Sequence, residues 1–274
     1  MLQASGLFNL EETPYNELFA GTEYVWEALP RIKSYLKEHL NSNVGKVRRG
    51  EMVINKTFVL YKGETLSSGF AIDTSGKKPL VIKDGVTMEG ASIIFSGAIL
   101  MDDQIQIGEG TVIEPTALIK GPTIIGDRTE VRHGAYIRGE TMVGNDCIVG
   151  HTTEIKSSVM LGGSKAGHFA YIGDSILGKV NLGAGTKLAN VKMGDTPIVL
   201  RVAGTFYETG LRKFGAVIAD GVETGCNSVT APGTIIGKNS LLYPGGTARG
   251  CYPSETVIKF KPKQEFIERN REES

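Results

Sequence analysis

The sequence is poor in several features that mark common protein classes. Its 274 residues include one tryptophan, three cysteines and 7% aromatic residues. It has no apolar run of about 18 residues, the length that a membrane-spanning helix needs. It also has no basic stretch followed by an apolar one, as a secretory signal would have. We therefore expect a protein that neither crosses a membrane nor is exported.

Charge and cysteine content exclude further classes. Thirty Lys and Arg residues balance thirty Asp and Glu residues, so no net positive charge draws the chain to nucleic acid. Cys147, Cys226 and Cys251 are odd in number and lack metal-ligand spacing, so we interpret them as reduced thiols of a cytoplasmic protein. No nucleic-acid or membrane partner is predicted.

Glycine is abundant, with 36 residues, and accompanies an aliphatic repeat with a period of six. Six residues turn an α-helix through about 600°, which scatters the set around its surface, and a plain strand would alternate every two residues. The period instead predicts short strands joined by turns, as in a β-helix. The repeat runs through Ile107, Ile113, Ile119, Ile125, Val131, Ile137, Val143, Val149, Ile155 and Leu161.

A second period of eighteen gives the coil three sides. Gly108, Gly126, Gly144 and Gly162 are eighteen residues apart, each just after a periodic aliphatic residue. We predict a turn with positive φ at this corner. One rung therefore has eighteen residues, and the fold class is all-β, a three-sided parallel β-helix. An ordinary antiparallel sheet, the alternative, does not produce such a glycine column.

The repeat also defines the domain organisation. Residues 1–80 are predicted to form a helical and extended segment that caps the first rung, since an open rung exposes unpaired backbone groups. Residues 81–258 form the coil, with a loop insertion over 190–214 that interrupts the period. Residues 259–274 form a charged C-terminal tail. Long loops of solenoids usually lie on a binding face.

Three cations also recur at intervals of eighteen. Lys120, Arg138 and Lys156 each follow an inward aliphatic residue, so they are expected to stack about 4.8 Å apart. Stacked cations repel one another, and a phosphate ester is a natural anion to compensate them. The alternative is a solvated edge where the side chains splay apart, and spacing alone does not decide between the two.

Histidines form a second row. His133 and His151 are eighteen residues apart, and His168 follows after seventeen. Such a row could hold zinc between subunits, although the close histidine pair of carbonic anhydrases of similar architecture is missing. We interpret His133 and His151 as exposed turn residues. His168 lies where the period breaks and polar residues gather, and a histidine is a suitable general base at pH 7.

The stretch from His168 through FAYIGDSILGKVNLGAGTKLAN resembles one particular family. It is similar to the acetyltransferase half of bifunctional N-acetylglucosamine-1-phosphate uridyltransferase/glucosamine-1-phosphate acetyltransferases, and to archaeal sugar-1-phosphate nucleotidylyltransferase/acetyltransferases. The similarity spans about 138–249 and includes TGLRKFGAVIADGVETGCNSVTAPG. The resemblance implies a left-handed β-helix, a homotrimer, and transfer of an acetyl group from acetyl-CoA to a hexosamine 1-phosphate, glucosamine- or galactosamine-1-phosphate.

The resemblance also implies roles for individual residues. The catalytic base falls on His168. The implied substrate contacts are Arg138, Lys156, Tyr171, Asn181 and Asn190, where the match of Asn181 requires a gap of one residue. The implied acetyl-CoA contacts are Ala184, Cys226 and Arg249. No metal is implied for this site.

The N-terminal part departs from the family pattern. Residues 1–80 contain no glycine-rich nucleotide loop, so no nucleotidyl transfer is expected, and a separate nucleotidyltransferase would be the partner in a pathway to nucleotide sugars such as UDP-N-acetylglucosamine. Two alternatives stay open at this point. One is a non-catalytic trimer that binds sugar phosphate, and the other is a metal-dependent hydratase of the carbonic-anhydrase type that uses the three histidines.

Overall fold

The computed structural model describes residues 2–261 and 265. Within them, no helix is both long and apolar enough to cross a bilayer. The predicted tail at 259–274 lies almost wholly outside the described residues. The α-helices are α1 (Ala4–Leu7), α2 (Ile32–His39) and α3 (Gly45–Arg48), and the 3₁₀ helices are Leu10–Glu12, Asn16–Phe19 and Val25–Arg31.

Short β-strands make up the rest of the regular structure. In chain order they are β1 (Phe58–Tyr61), β2 (Glu64–Leu66), β3 (Ala71–Asp73), β4 (Leu80–Lys83), β5 (Val86–Thr87), β6 (Ser92–Ile94), β7 (Ile99–Leu100), β8 (Ile105–Ile107), β9 (Val112–Ile113), β10 (Leu118–Ile119), β11 (Thr123–Ile125), β12 (Glu130–Val131), β13 (Tyr136–Ile137), β14 (Thr141–Val143), β15 (Ile148–His151), β16 (Glu154–Lys156), β17 (Val159–Met160), β18 (Lys165–His168), β19 (Tyr171–Gly173), β20 (Ile176–Leu177), β21 (Asn181–Leu182), β22 (Lys187–Leu188), β23 (Val199–Val202), β24 (Thr205–Glu208), β25 (Ala216–Ile218), β26 (Glu223–Thr224), β27 (Val229–Thr230), β28 (Thr234–Ile236), β29 (Leu241–Leu242), β30 (Thr247–Ala248), β31 (Cys251–Tyr252) and β32 (Val257–Ile258).

From β6 onward the strands wind into a three-sided parallel solenoid of about nine turns. Face A contains β6, β9, β12, β15, β18, β21, β26, β29 and β32. Face B contains β7, β10, β13, β16, β19, β22, β27 and β30, and face C contains β8, β11, β14, β17, β20, β25, β28 and β31. The predicted three-sided β-helix is confirmed. Its left-handed sense, implied by the resemblance, stays a prediction.

The periodic aliphatic residues fill the interior of the coil. Ile113, Ile119, Ile125 and Val131 are completely buried, as a one-per-wall core requires. The rung then shortens, because Val143 pairs with Met160, seventeen residues on. The six-residue repeat therefore assigned Leu161 to a core position of face C that Met160 occupies. Later rungs of seventeen and sixteen residues follow until the insertion.

The glycine column is present, but the predicted reason for it is wrong. Gly108, Gly126 and Gly144 do not have positive φ values. A Cβ on Gly126 would lie 2.6 Å from the Gly144 carbonyl carbon, so the next rung leaves no room for a side chain. The left-handed conformation falls two residues later, as at Gly110 and Arg128. Glycine is needed here because successive backbones approach closely.

The coil begins later than predicted, and strands rather than helices cap it. The strands β4 and β5 pair antiparallel in a small sheet with β3, so the first coil strand is β6 and the boundary at residue 81 was too early. Strand β1 lies antiparallel on β6. The N–H of Leu100 donates to Met52 O. These contacts pair the backbone groups that an open first rung would expose.

The N-terminal helices instead cover face C along its length. The outward residues of this face, among them Met142, Val159 and Val217, are completely buried. Tyr15 Oη donates to Val143 O at 2.9 Å. Further along, the ring of Trp26 packs against that of Phe214. These helices therefore leave face B open, whereas the start of face A packs against β4, where Ile93 and Val81 are buried together.

The predicted insertion at 190–214 is visible as an excursion between β22 and β25. It forms a two-stranded antiparallel hairpin of β23 and β24. Tyr207 of the hairpin contacts Tyr24 of the N-terminal segment, with ring centroids 5.7 Å apart. The insertion is thus folded against that segment, and Phe206 at its edge is exposed.

Burial of Cys147 makes the fold sensitive to alkaline pH. Its Sγ lies 3.1 Å from Leu161 O, and burial raises the pKa of the thiol to about 12 from an ordinary 9.0. The unfolded chain loses this proton first as the pH rises, so the free energy of unfolding is expected to fall by about 1 kcal/mol between pH 9 and 10. Urea unfolding of Cys147→Ala should show a shallower alkaline decline. An identical decline would contradict the assignment, and Cys226→Ala, an exposed thiol, is the control.

Candidate active site

The cations that recur every eighteen residues lie at the edge between faces B and C. The aliphatic residues before them pair in register, so Lys120, Arg138 and Lys156 occupy successive rungs. The N–H of Lys120 donates to Ile137 O and that of Arg138 to Ile155 O, both at 2.8 Å. The stacked column predicted from spacing is confirmed in the backbone, and we call these three residues the cation corner.

Two members of the cation corner are neutralised within the chain. Arg138 Nη1 lies 2.6 Å from Glu154 Oε1, and Lys156 Nζ lies 3.0 Å from Asp174 Oδ2. The hydrogen bond to Glu154 raises the pKa of Arg138. Glu154 and Asp174 thus supply anions that compensate Arg138 and Lys156 within the chain. An incoming phosphate would share the cations with these carboxylates.

Tyr171 and Asn190 belong to the same network. Tyr171 Oη donates to Asn190 Oδ1 at 3.2 Å, and Asn190 Nδ2 donates to Asp174, the partner of Lys156. Burial raises the pKa of Tyr171, so its hydroxyl remains a neutral donor. Asn190 is buried. The structure thus connects Tyr171, Asn190 and Lys156, three of the residues that the sequence predicts as substrate contacts, through one carboxylate.

A second column occupies the edge between faces A and B, and we call it the histidine corner. It consists of His133, His151, His168, Ala184 and Cys226. A ladder of backbone hydrogen bonds fixes their order. The N–H of Thr152 donates to His133 O at 3.4 Å, and that of Phe169 to His151 O at 2.7 Å. The N–H of Gly185 donates to His168 O at 3.0 Å, and that of Asn227 to Ala184 O at 2.8 Å. Ala184 therefore lies one rung above His168, and Cys226 one rung further. The predicted base is thus adjacent to one predicted cofactor contact, Ala184, and two rungs from the other, Cys226.

Two of the three imidazoles stack, and the three do not converge on a common point. The rings of His133 and His151 lie 4.1 Å apart at 27°, and His151 Nδ1 lies 3.1 Å from His133 O. His168 pairs in register with His151 and is exposed. Within residues 2–261 and 265, no group of three or more His, Cys, Asp or Glu side chains could hold a metal ion.

Face B joins the two corners at the level of β18 and β19. Tyr171 follows His168 by three residues, so their Cα atoms are at most about 10 Å apart. Tyr171 pairs with Glu154 on the rung below, and Glu154 binds Arg138. A small molecule lying across face B can therefore contact His168 at one end and the cation corner at the other.

Two predicted residues lie apart from this network. Asn181 is on face A, where it pairs with Lys165, three residues before His168. Arg249 follows Ala248, which pairs with Thr230, so it lies at the same edge as the cation corner. It is four rungs above Lys156, about 19 Å along the coil. Only an elongated ligand could contact both Arg249 and His168.

Sequence reasoning missed the carboxylates and aromatic residues around these cations. Glu154 and Tyr136 each lie two residues before a cation of the corner, and that spacing puts them on the same outward surface. Arg138 lies over the ring of Tyr136, 5.8 Å from its centroid. Phe169 is 51% exposed beside His168 with φ at 36°. Spacing could have revealed the first two, whereas nothing in the sequence marks Phe169.

Comparison with known proteins shows similarity to one family model and to several sugar-phosphate transferases. Residues 119–240 match the family described as the GMPPB C-terminal domain. A bifunctional sugar-1-phosphate nucleotidylyltransferase/acetyltransferase of Sulfurisphaera tokodaii is 42% identical over 84 residues, which is 30% of this chain and 21% of that protein. The bifunctional protein GlmU of Methanococcus vannielii is 42% identical over 80 residues, 29% of this chain and 19% of that one. The resemblance seen in the sequence is confirmed.

The similarity to GlmU-type proteins covers only part of this chain. The GlmU protein of Synechococcus sp. (strain CC9311) is 36% identical over 103 residues, 37% of this chain and 19% of that protein. The chain thus spans about a fifth of the length of the curated relatives that it matches. Among solved structures, a hexapeptide transferase family protein of Anaplasma phagocytophilum shares 16% identity with a TM-score of 0.18, covering 61% of this chain and 76% of that one.

Proposed function

We propose that this chain transfers an acetyl group from acetyl-CoA to the amino group of a hexosamine 1-phosphate, glucosamine- or galactosamine-1-phosphate. The observation that carries the proposal is the position of His168. It lies one rung below Ala184 in the histidine corner, and three residues before Tyr171, which is linked to Lys156 through Asn190 and Asp174. A base between a sugar-phosphate end and a thioester end suits acyl transfer between the two.

The proposed reaction needs one proton acceptor and two positioned substrates. An amine in solution is mostly ammonium, and it gives one proton to water before it attacks the thioester carbonyl. As the amide bond forms, His168 accepts the proton that the nitrogen releases. The carbon–sulfur bond then breaks, and the protonated imidazole gives its proton to the coenzyme A thiolate. General-base catalysis of this kind contributes about 10²–10⁴-fold, and positioning of the two substrates adds to it.

The backbone near Ala184 is the proposed oxyanion site. The N–H of Gly183 donates to Thr224 O at 2.9 Å and that of Gly185 to His168 O at 3.0 Å. Both are therefore used within the coil. The N–H of Ala184 has no hydrogen bond to any residue that the structure describes. This single amide, one rung above His168, is the one that could stabilise the negative charge of the tetrahedral intermediate.

A second copy of the chain would complete the site. The two corners border an open face, and N-terminal helices already cover face C. We propose a homotrimer in which a neighbouring coil supplies the second wall of the acetyl-CoA cleft, with closed symmetry as is usual for soluble oligomers. The product would pass to a separate nucleotidyltransferase on the route to UDP-N-acetylglucosamine or a related nucleotide sugar, and a cytoplasmic location stays a prediction.

Thiol release from acetyl-CoA tests the proposal directly. The purified chain is incubated with acetyl-CoA and either glucosamine 1-phosphate or galactosamine 1-phosphate, and free coenzyme A is measured by its thiol. We expect coenzyme A to be released only when the amino sugar phosphate is present, and not when the sugar is already N-acetylated. Glucose 1-phosphate, which lacks the amine, is the control substrate.

The same assay separates the alternatives. Binding of the sugar phosphate without thiol release would contradict the acetyltransferase proposal and would support a non-catalytic binding trimer. Pyrophosphate release from UTP and N-acetylglucosamine 1-phosphate would contradict the expected lack of nucleotidyl transfer. Light scattering of the eluted protein gives its mass, and a monomer that is fully active would contradict the trimeric cleft.

Lys156 is expected to set the affinity for the sugar phosphate. Replacing it with alanine removes an ammonium and leaves the Asp174 carboxylate facing the phosphate. A charge-assisted hydrogen bond contributes about 1.5–3 kcal/mol, so the KM for the sugar phosphate should rise at least tenfold with a smaller change in kcat. Lys120→Ala, one corner position two rungs away, is the matched control. An unchanged KM in Lys156→Ala would contradict the proposal that the cation corner binds the sugar phosphate.

A further inference from the structure

The edge between faces C and A contains a third regular ladder. At this edge three backbone N–H groups each donate to a side-chain oxygen of the rung above. Glu109 N–H donates to Asp127 Oδ1 and Asp127 N–H donates to Asn145 Oδ1, both at 2.8 Å. Further up, Lys179 N–H donates to Asp220 Oδ1 at 2.7 Å. Each of these acceptors satisfies a donor that the turn would otherwise leave free.

The ladder is interrupted for two rungs in its middle. The position above Asn145 is occupied by Gly162, which has no side chain, and the next position by Lys179, which has no acceptor. Among the residues that the structure describes, the backbone N–H groups of Asn145 and Gly162 have no hydrogen-bond partner. Two adjacent donors are thus unpaired at the place where every neighbouring rung supplies an anionic or amide oxygen.

A cavity of about 740 Å³ opens at this interruption. The N-terminal segment forms its other wall, including Glu12. Lys165 and Lys179 line it from the coil. The stem of Lys179 lies over Gly163, 3.1–3.4 Å from where a Cβ would be. The missing side chain at Gly162 thus leaves space that two lysines and two amides border.

The carboxylates around the cavity do not form ion pairs with Lys165 or Lys179. Asp146 binds Arg128 through both carboxylate oxygens, and the two oxygens of Asp220 accept the N–H groups of Asn9 and Lys179. Within the described part of the chain, neither Lys165 nor Lys179 has a carboxylate oxygen within 4.0 Å of its ammonium. Glu12 is an exposed carboxylate of the segment wall.

We propose that this cavity is a binding site for a phosphate group, held by the N–H groups of Asn145 and Gly162 and by the ammonium groups of Lys165 and Lys179. Successive backbone N–H groups in a turn form a concave anion site, and ammonium groups add charge-assisted hydrogen bonds. A phosphate oxygen takes the place that an Asx Oδ1 takes on neighbouring rungs. Strand β18 carries Lys165 at this end and His168 at the other, so the site is separate from the cation corner.

Restoring the ladder is the sharpest test. In Gly162→Asn, the new Oδ1 is expected to accept the Asn145 N–H as Asn145 itself accepts that of Asp127. A Cβ on Gly162 would meet only Asn145 O, at 3.6 Å, and its φ is not positive, so the side chain fits. The following residue, Gly163 with φ at 75°, already matches Asp146 with φ at 57°. The variant removes the site without removing a contact of the native fold.

Binding is measured by calorimetric titration of the full chain with inorganic phosphate at constant ionic strength. The titrations use a Lys156→Ala background, because the proposed active site is itself expected to bind phosphate there. We expect Gly162→Asn, and separately Lys165→Gln with Lys179→Gln, to weaken binding at least about tenfold. Lys83→Gln, an exposed lysine at a distance, is the charge control. Circular dichroism and the thermal midpoint confirm folding.

The outcomes are decisive in both directions. Loss of binding in Gly162→Asn and in the lysine pair, with Lys83→Gln unchanged, supports the site. Unchanged affinity in either, or a Kd of about 10 mM or weaker before the substitutions, overturns it. Glucose 1-phosphate in a parallel titration identifies the source, since tighter binding than inorganic phosphate indicates a phosphate ester. Because no turnover is measured, failure of the acetyltransferase proposal leaves this test intact.

Discussion

Replacing His168 with alanine is expected to lower the kcat of acetyl transfer by about 10²–10⁴-fold, the usual contribution of a general base. The imidazole is exposed at the histidine corner, and no side-chain hydrogen bond to another described residue depends on it. Its backbone oxygen, which accepts from Gly185, is retained in the variant. The loss should therefore appear in kcat, with the KM for the sugar phosphate and the thermal midpoint nearly unchanged.

His151 provides a matched control for this experiment. It lies one rung below His168 in the same corner, in register with it. Its ring stacks on His133 instead of bordering Ala184, so His151→Ala should retain nearly full activity. Full activity in His168→Ala would defeat the assignment of the base. Equal losses in both variants would indicate that the corner acts through its structure and not through proton transfer.

The repeat made most of the coil predictable from the sequence. Each inward residue is set by one rule, a small aliphatic side chain for each wall, so the interval between Ile119 and Ile137 directly gives the three-sided rung. The same rule brings Lys120, Arg138 and Lys156 to one edge. A period reports which residues are vertical neighbours, because stacked strands keep register. The predicted histidine row followed in the same way.

What the period could not give was how side chains pair between rungs. The pairing of Glu154 with Arg138 and of Asp174 with Lys156 depends on which way long side chains point along the coil axis, and spacing carries no such information. The position of the N-terminal helices was not predictable either: the extended part of residues 1–80 pairs with the first rung through β1, whereas the helices lie along face C. The helices are short and their apolar residues fit either an end or a side, whereas the buried outward residues of face C, such as Met142, select the side.

The shortening of the rungs explains where the proposed sites lie. From Val143 to Met160 a rung loses one residue, and turns there are tighter. In the shortened register Gly162 follows Asn145 in its column, and Gly150 lies directly under Gly167 beside the histidine corner. Both departures from the eighteen-residue pattern occur within β15 to β18.

Gly150→Ala is expected to be the most destabilising single methyl addition near the proposed active site. A Cβ on Gly150 would overlap the carbonyl group of Gly167 on the next rung. Backbone atoms cannot rotate away as a side chain can, so the two rungs must separate or shift. Overpacking costs about 1–3 kcal/mol where side chains adjust, and we expect at least about 3 kcal/mol here. Urea unfolding of Gly150→Ala against the unmodified chain measures it.

Gly167→Ala is the control that isolates the cause. Gly167 occupies the paired position on the adjacent strand, between Ala166 and His168, yet a Cβ there would meet nothing within 4 Å and its φ is not positive. The two variants add the same methyl group to neighbouring rungs of one face. We therefore expect Gly167→Ala to change the free energy of unfolding by less than about 1 kcal/mol. Equal destabilisation by both would mean that loss of glycine itself, and not contact between the rungs, limits the coil at this height. A large difference would show that the close approach of successive backbones requires glycine at position 150.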